Sequence, residues 1–242
     1  AGNPNTPYIL FDNMIAPLTS FALKGALWYQ GESNAVRAGQ YRLLFRTLID
    51  DWRKHWEADL HFYFVQLANY VANMDAGTSS PWAEIRDAQA QALELPDTGM
   101  AVTIDIGAPG DVHPVNKQDV GGRLALVARN KIYGEAVEYS GPVHEKIKLR
   151  ANGDIQVYFS HAQGLRTAGN EPVRGFAVAG KDKVLVDCPA VIDGKSVVLQ
   201  CSNIESPSEV RYCWQENPGG NLSNGAALPA VPFRAAVKGA GR

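Results

Sequence analysis

The sequence predicts an α/β unit with a parallel sheet and helices on both faces, followed by an antiparallel β-sandwich domain. Residues 1–136 alternate strand-like apolar runs with amphipathic helical segments, which is typical of βαβ units. After Gly134 the helical period disappears, and short strand-like runs alternate with Gly, Pro, Asn and Asp turns. We therefore predict two domains, residues 1–136 and 137–242.

The elements of the first domain follow from local patterns. Short, apolar, aromatic or β-branched runs predict buried strands at 24–30, 61–68 and 99–106. Apolar residues at three- and four-residue steps predict helices over 41–56, from Ser80 onward, and over 116–133. Ser80 is a favoured helix cap, Pro81 suits the first helical position, and Gly134 suits a helix stop.

Turn signals organise the second domain. Asn152-Gly153 separates two strand-like runs and predicts a hairpin. Further strands are predicted near 175–179, 183–187, 196–200 and 209–214.

A predicted hairpin contains two of the three cysteines, Cys188 and Cys201. A two-residue turn at Asp193-Gly194 makes Ile192 face Lys195 and makes the cysteines diagonal neighbours. Diagonal neighbours are about 7–8 Å apart. That distance is at or beyond the limit for a disulfide, so this register disfavours a bridge.

Composition excludes several classes of function. The 242 residues carry 23 basic and 25 acidic side chains, a formal charge of −2, which disfavours a nucleic-acid partner. No apolar run approaches the roughly 20 residues that a membrane-spanning helix needs, so no membrane partner is expected.

The loops after the predicted strands contain the candidate chemistry, because ligands of open α/β sheets bind beyond the carboxyl ends of the strands. The first strand leads into residues 30–34, Gln-Gly-Glu-Ser-Asn, and the second ends in residues 66–69, Gln-Leu-Ala-Asn. The third leads to Asp105 and then to residues 110–114, Gly-Asp-Val-His-Pro.

His113 is the leading catalytic candidate, because an imidazole in a loop before a helix can act as a general base for a hydroxyl nucleophile. Asp111 could orient that imidazole as the acid of a triad does, and Asp105 is a weaker substitute. The alternatives are a surface-loop histidine and a turn-forming aspartate. A metal site is disfavoured, because no second histidine or cysteine stands at ligand spacing.

The loop after the first strand permits three interpretations. Ser33 could be a nucleophile on a tight turn after Gly31. Asn34 could instead donate to an oxyanion, or Ser33 and Asn34 could simply cap a helix.

Longer motifs resemble the sialate O-acetylesterase family, carbohydrate esterases of the SGNH-hydrolase superfamily. The two most specific blocks are residues 24–35, KGALWYQGESNA, and 111–117, DVHPVNK. The similarity includes 64–69, 82–89, 100–107 and, in the second domain, the Val210-Arg211-Tyr212 run with Trp214.

The resemblance implies a flavodoxin-like SGNH sheet and a serine esterase, without a cofactor, that removes acetyl groups from sugars. His113 would be the catalytic histidine and Asp111 its acid partner. Asn34 would supply the oxyanion hole, with Gly31 beside it. Secondary pocket roles would fall to Gln30, Glu32, Ser33, Gln66 and Arg86.

One family block is missing from the sequence. The family carries its nucleophilic serine in a Gly-Gln-Ser-Asn-Met-like block on the first strand, upstream of the motifs found here. We therefore expect a sheet that is incomplete at its N-terminal side, and a partner segment or chain that supplies the serine. The resemblance also implies a periplasmic or secreted location.

Two alternatives stay open at this stage. The chain could be a self-sufficient esterase that uses Ser33. It could also be a non-catalytic carbohydrate-binding protein in which Tyr212 and Trp214 stack on sugars.

Overall fold

A parallel three-stranded sheet forms the first part of the chain. The computed structural model describes residue 3 and residues 6–70 and 80–237. The sheet has the order β1-β2-β3, with β1 at Gly25–Trp28, β2 at His61–Gln66 and β3 at Thr98–Val102. Both strand pairs are parallel, so the carboxyl ends of all three strands lie at one edge.

Helices cover both faces of this sheet. On one face, helices α1 (Ala38–Trp56) and α2 (Pro81–Ala90) pack on β2, and the rings of Phe45 and Phe64 are 5.1 Å apart. On the other face lies α3 (Lys117–Lys131), whose Val127 packs with Tyr63 of β2 in a second apolar cluster. The short helices are Phe11–Ile15, Ala16–Leu18, Glu32–Arg37, Gln91–Glu94 and Ala168–Asn170.

The predicted cap at Ser80 is confirmed, whereas α1 begins three residues before the predicted position 41 and α3 ends at Lys131, two residues before the predicted 133. The Ser80 hydroxyl accepts the Ala83 N–H at 3.0 Å, ahead of Pro81 at the first helical position. Gly134 follows the end of α3 with φ +66°, a conformation that glycine adopts without steric cost.

Antiparallel strands make up the rest of the chain. Two four-stranded sheets have the orders β4-β5-β10-β9 and β13-β11-β7-β8, and β12 pairs with β6. The strands are β4 (Val143–Leu149), β5 (Ile155–Ser160), β6 (Arg166–Thr167), β7 (Phe176–Ala179), β8 (Leu185–Asp187), β9 (Ala190–Asp193), β10 (Ser196–Leu199), β11 (Glu209–Tyr212), β12 (Leu222–Ser223) and β13 (Phe233–Ala236).

The two four-stranded sheets pack as a sandwich. Phe159 of β5 contacts Phe233 of β13 with ring centroids 6.1 Å apart. Ile155, Val157 and Val178 are fully buried between the sheets. The same core cluster continues to Phe45 and Ile85 of the α/β part, so one apolar core links the two parts. The change to strands falls between α3 and β4, and the boundary at 136/137 stays a prediction.

The predicted register of the cysteine hairpin is wrong by one residue in the turn. Asp193 pairs with Ser196, so the two loop residues are Gly194 and Lys195. Gly194 has φ +61°, which suits the first position of a tight hairpin loop. This shift places Cys188 directly opposite Cys201, with Cα atoms 5.9 Å apart, and the two form a disulfide.

Strand β1 is an edge strand whose outer side has no partner strand within the described residues. Its Leu27 lies beside Tyr63 on the face that α3 covers. The buried residues of α3 form their core cluster with residues of β2 and β3. Leu27 of β1 is not part of that cluster and is 66% exposed. Across the described ranges, no helix is both long and apolar enough to cross a bilayer.

Candidate active site

The edge at the carboxyl ends of β1, β2 and β3 is formed by three loops. These are residues 29–37, 67–70 and 103–116. Because the strands are parallel neighbours, these loops are adjacent along one rim. The sequence-predicted catalytic and oxyanion residues all lie on this rim.

A buried glutamine fixes the loop after β1. The Gln89 side chain donates to the carbonyls of Gln30 and Val65, at 3.2 and 3.3 Å, and accepts the Leu67 N–H at 3.0 Å. Gly31 follows with φ +153°, and a Cβ there would lie 3.2 Å from Gln89 Nε2. Gln89 therefore joins the first two loops, and Gly31 is the residue type that the close approach requires.

The proposed oxyanion residues lie in the tight turn that follows. The Gly31 N–H donates to Glu32 Oε2 at 2.9 Å, and the Asn34 N–H donates to the Gly31 carbonyl at 2.8 Å. Asn34 is half-buried and Ser33 is exposed. In this arrangement Glu32 engages the Gly31 amide, and the Asn34 side chain stands in a short helix at the rim.

The loop after β1 contacts the start of α3. The Lys117 ammonium lies 5.3 Å from the centre of the Tyr29 ring. Burial raises the pKa of Tyr29, and the nearby Glu32 carboxylate raises it further. This contact brings the loop before Gln30 next to the helix that begins four residues after His113.

His113 is exposed in the loop after β3, and Asp111 fixes its backbone. Asp111 donates its N–H to the Ala108 carbonyl at 3.2 Å, and its Oδ1 accepts the His113 N–H at 2.8 Å. Among the described residues, no hydrogen bond joins this carboxylate to the imidazole. Asp111 therefore shapes the turn that presents His113, and its role as acid partner stays a prediction.

Asp105 has a different partner. Arg123 of α3 holds both of its oxygens at 2.6 and 2.7 Å and also donates to the Val102 carbonyl. A carboxylate held on both oxygens by one guanidinium has a fixed orientation. This pairing leaves Asp105 a poor substitute for Asp111.

Asn69 links the rim to the sandwich. Its Oδ1 accepts the Gly107 N–H at 2.7 Å, and its Nδ2 donates to Asn217 Oδ1 at 2.8 Å. A Cβ at Gly107 would lie 2.3 Å from the Asn69 carbonyl oxygen. Sequence reasoning gave no role to Asn69 or to Gln89. The sequence signal for Asn69 was an amide side chain just after a strand. The signal for Gln89 was an amide side chain on the buried face of a helix.

Comparisons with known proteins decide the family. A family model described as "Carbohydrate esterase, sialic acid-specific acetylesterase" matches residues 5–129, about half of the chain. The chain belongs to this family. Sialate O-acetylesterase of Mus musculus is 30% identical over 97% of this chain and 48% of its own length. The Homo sapiens protein of the same name is 35% identical over 62% of this chain and 32% of its own length.

A solved structure that is similar to this chain extends the match into the sandwich. A carbohydrate acetylesterase from Xanthomonas citri has a TM-score of 0.88 and 44% identity, covering 93% of this chain and 53% of that chain. The chain thus spans about half the length of the relatives that match nearly all of it. The sandwich belongs to the shared architecture, although the esterase family model ends within α3.

Two residues that the family resemblance placed in the pocket lie in the interior. Arg86 is fully buried and donates to four backbone carbonyls at 2.7–2.9 Å, those of Leu67, Ala68, Gln215 and Glu216. Burial lowers the pKa of Arg86 to about 9, so the guanidinium is still charged at neutral pH. Gln66 is also fully buried and donates to the Arg86 carbonyl at 3.1 Å. Arg86 therefore joins the loop after β2 to the sandwich, and Gln66 joins the end of β2 to α2.

The aromatic residues proposed for sugar stacking are part of the core. Tyr212 and Trp214 are 2% and 3% exposed, and the Arg234 guanidinium lies 4.8 Å from the centre of the Trp214 ring. The Tyr212 hydroxyl accepts the Leu222 N–H at 3.2 Å. The interpretation of these two rings as an exposed sugar platform is therefore wrong.

Proposed function

We propose that this chain forms the histidine-bearing part of a carbohydrate O-acetylesterase that hydrolyses acetyl esters on sugars. The observation that carries the proposal is the exposed His113 at the carboxyl rim of the sheet, in a chain that belongs to the sialic acid-specific acetylesterase family. The relatives named sialate O-acetylesterase and carbohydrate acetylesterase support an acetylated sugar as the substrate class.

The proposed mechanism is that of a serine esterase. A serine hydroxyl attacks the acetyl carbonyl while His113 takes its proton, and the resulting imidazolium then protonates the sugar oxygen that leaves. The Asn34 side chain and a nearby backbone amide stabilise the oxyanion, and losing one such donor costs roughly 10²–10³ in rate. Asp111 stabilises the imidazolium in this scheme. Water then releases acetate from the serine by the reverse proton transfers.

The serine, in this proposal, comes from a polypeptide segment upstream of residue 1. Within the described ranges, the outer edge of β1 has no partner strand, and Leu27 of β1 is 66% exposed. An unpaired edge is a ready template for another strand. The relatives are about twice as long as this chain, which leaves room for such a segment. The exposed Ser33 is the competing nucleophile.

A fluorophosphonate probe, which labels activated serines, tests this assignment. We expect labelling only when the upstream segment is present with this chain, and we expect His113→Ala to abolish it. His55→Ala, a substitution of a half-exposed histidine on α1, is the matched control and keeps the label. Labelling of residues 1–242 alone at Ser33 would overturn the upstream nucleophile. Unchanged labelling of the His113 variant would overturn the general base.

The proposed location is outside the cytoplasm. The Cys188–Cys201 disulfide supports it, because disulfides persist mainly in oxidising compartments. The family resemblance to extracytoplasmic esterases points the same way.

A further inference from the structure

Lys117, the first residue of α3, contacts two of the three loops of the rim. Its ammonium donates to the Pro114 carbonyl in the loop after β3, one residue beyond His113. The same ammonium lies 5.3 Å from the centre of the Tyr29 ring in the loop after β1, which is within the range of a cation–π interaction. One side chain therefore bridges the loop that carries His113 and the loop that carries Asn34.

The loop after β1 is anchored at the residue that follows Tyr29. The Gln30 carbonyl accepts the Tyr41 hydroxyl at 3.1 Å and the Gln89 side-chain N–H at 3.2 Å. Both donors belong to buried residues, because Tyr41 packs in the core and Gln89 is on the buried face of α2. The backbone next to Tyr29 therefore has its own support from the core.

The loop after β3 is held to the start of α3. Asp111 Oδ1 accepts the His113 N–H at 2.8 Å, and the next residue, Pro114, is buried. The Asn116 side chain caps α3 by accepting the Asp119 N–H at 3.1 Å. These bonds fix the backbone of His113 relative to α3, but none of them reaches the loop after β1.

The proposed reaction depends on how these two loops lie relative to each other. The general base and the oxyanion donor act on the same acetyl ester, so His113 and Asn34 must be held in one geometry. Strand β2 lies between β1 and β3, so no strand pairing joins the two loops directly. The contacts of Lys117 cross that gap.

From this arrangement we infer that Lys117 is a positioning residue of the esterase, which holds His113 at its working distance from the oxyanion donors. The inference rests on the proposed function and deepens it. Lys117 acts through Pro114 and the Tyr29 ring and exchanges no proton with the substrate. Loss of this bridge should slow the chemical step and leave substrate binding nearly unchanged, because a displacement of about 1 Å can cost on the order of 100-fold in rate.

Lys131, the last residue of α3, provides a matched control because it makes the same two kinds of contact. Its ammonium donates to the Thr98 carbonyl at 2.9 Å and lies 5.5 Å from the centre of the Tyr139 ring. Thr98 begins β3, so this contact is at the amino end of the strand, opposite the rim. Lys131→Met therefore removes equivalent contacts from the same helix and leaves the rim intact.

The kinetic experiment uses the longer polypeptide that includes the proposed upstream segment, with 4-nitrophenyl acetate as the reporter of acetylesterase activity. We expect Lys117→Met to lower kcat about tenfold to a hundredfold and to change KM by less than about twofold. Lys117→Arg keeps a cation and a donor and should restore part of kcat. Adding Tyr29→Leu to Lys117→Met should slow the enzyme little further, because both changes remove the same bridge. Lys131→Met should lower the Tm without lowering kcat.

NMR relaxation of residues 1–242 tests the bridge without catalysis. We expect Lys117→Met to broaden the backbone amide signals of His113 and Asn34 through exchange on the microsecond-to-millisecond timescale. Lys131→Met should leave both signals as they are in the unsubstituted chain. Circular dichroism of each variant establishes that it is folded.

A rise in KM with unchanged kcat in Lys117→Met would overturn the inference, because it would indicate direct binding of the substrate. Equal losses of kcat in Lys117→Met and Lys131→Met would also overturn it, as a general weakening of α3, and so would unchanged amide signals in Lys117→Met. Absence of esterase activity, or full activity of His113→Ala, would instead contradict the proposed function. The amide signals would then still decide whether Lys117 holds the two loops together.

Discussion

At the scale of single residues, Cys213 shows how burial controls the chemistry of a side chain. It is 2% exposed, and burial raises the pKa of its thiol to about 12. The folded chain therefore holds very little thiolate at pH 8, and the thiolate is the reactive form. Ellman's reagent should therefore find no reactive thiol in the native protein at pH 8.

The same titration tests the disulfide and predicts a pH dependence. In guanidinium without reductant we expect one thiol per chain, and three after reduction. Between the ordinary pKa of about 9 and the raised value of about 12, only the unfolded state ionises. The folding free energy should thus become less favourable with rising pH, by up to about 1.4 kcal/mol per unit from this group. A Cys213→Ala variant should lack that part of the slope, and a native thiol that reacts quickly would contradict the burial.

The helical period of α2 predicts which of its polar residues are buried better than their residue types do. Arg86 lies four residues after Trp82, and Gln89 lies four after Ile85, so the helical period places all four on the buried face of α2. The family resemblance placed Arg86 in a pocket instead. The sequence could not identify the hydrogen-bond partners of Arg86, because Gln215 and Glu216 are about 130 residues away along the chain.

At the scale of elements, two glycines predict opposite effects of the same substitution. Gly31 has φ +153°, and its Cβ position is 3.2 Å from Gln89 Nε2, whereas Gly39 in α1 has no atom within 4 Å of that position. Gly31→Ala should lower the free energy of unfolding by about 1–3 kcal/mol through backbone strain. Gly39→Ala should raise it by about 0.5–1 kcal/mol through helix propensity.

Urea unfolding of the two variants checks this pair. A further readout concerns the site, because Gly31 begins the turn that holds Asn34. We expect Gly31→Ala to reduce the rate of fluorophosphonate labelling in the presence of the upstream segment, and Gly39→Ala to leave it unchanged. Equal stability of the two variants would show that the loop after β1 adapts freely.

The elements themselves were largely predictable, and their exact pairing was not. The sequence located the three strands, the three long helices, the Ser80 cap and the Asn152-Gly153 hairpin, because each depends on neighbours within a few residues. The predicted register of the cysteine hairpin was wrong by one turn position, because Asp193-Gly194 and Gly194-Lys195 are both acceptable as the two loop residues. That single step decided whether Cys188 and Cys201 were diagonal or opposite.

At the scale of the whole molecule, the arrangement of the rim depends on contacts between distant parts of the chain. Asn69 joins the loop after β2 to the loop after β3 and to Asn217 of the sandwich. A cavity of about 550 Å³ lies between Ile104 and Asp105 of the rim and strands β6 and β12 of the sandwich, so it exists only because the sandwich packs there. A strand pattern predicts that a sandwich forms, but it holds no information on which of its loops faces the sheet.

The exposed side chain of Leu27 on β1 gives the last prediction, which concerns the proposed upstream segment. In residues 1–242, Leu27 is 66% exposed, so Leu27→Glu should change the free energy of unfolding by no more than about 0.5 kcal/mol. If an upstream strand and its connections cover this face, the same substitution in the longer polypeptide buries a charge. There it should cost at least the transfer energy of a leucine, about 1.5–3 kcal/mol, and reduce acetylesterase activity.

Chemical unfolding of both polypeptides, each with and without the substitution, measures the difference. Val191→Glu is the matched control, because Val191 is 52% exposed on β9 of the sandwich and should tolerate glutamate in both contexts. A larger cost of Leu27→Glu in the longer polypeptide, with no such difference at Val191, places the upstream segment on β1. Equal small costs at Leu27 in both would mean that the nucleophile reaches His113 from another side of the rim.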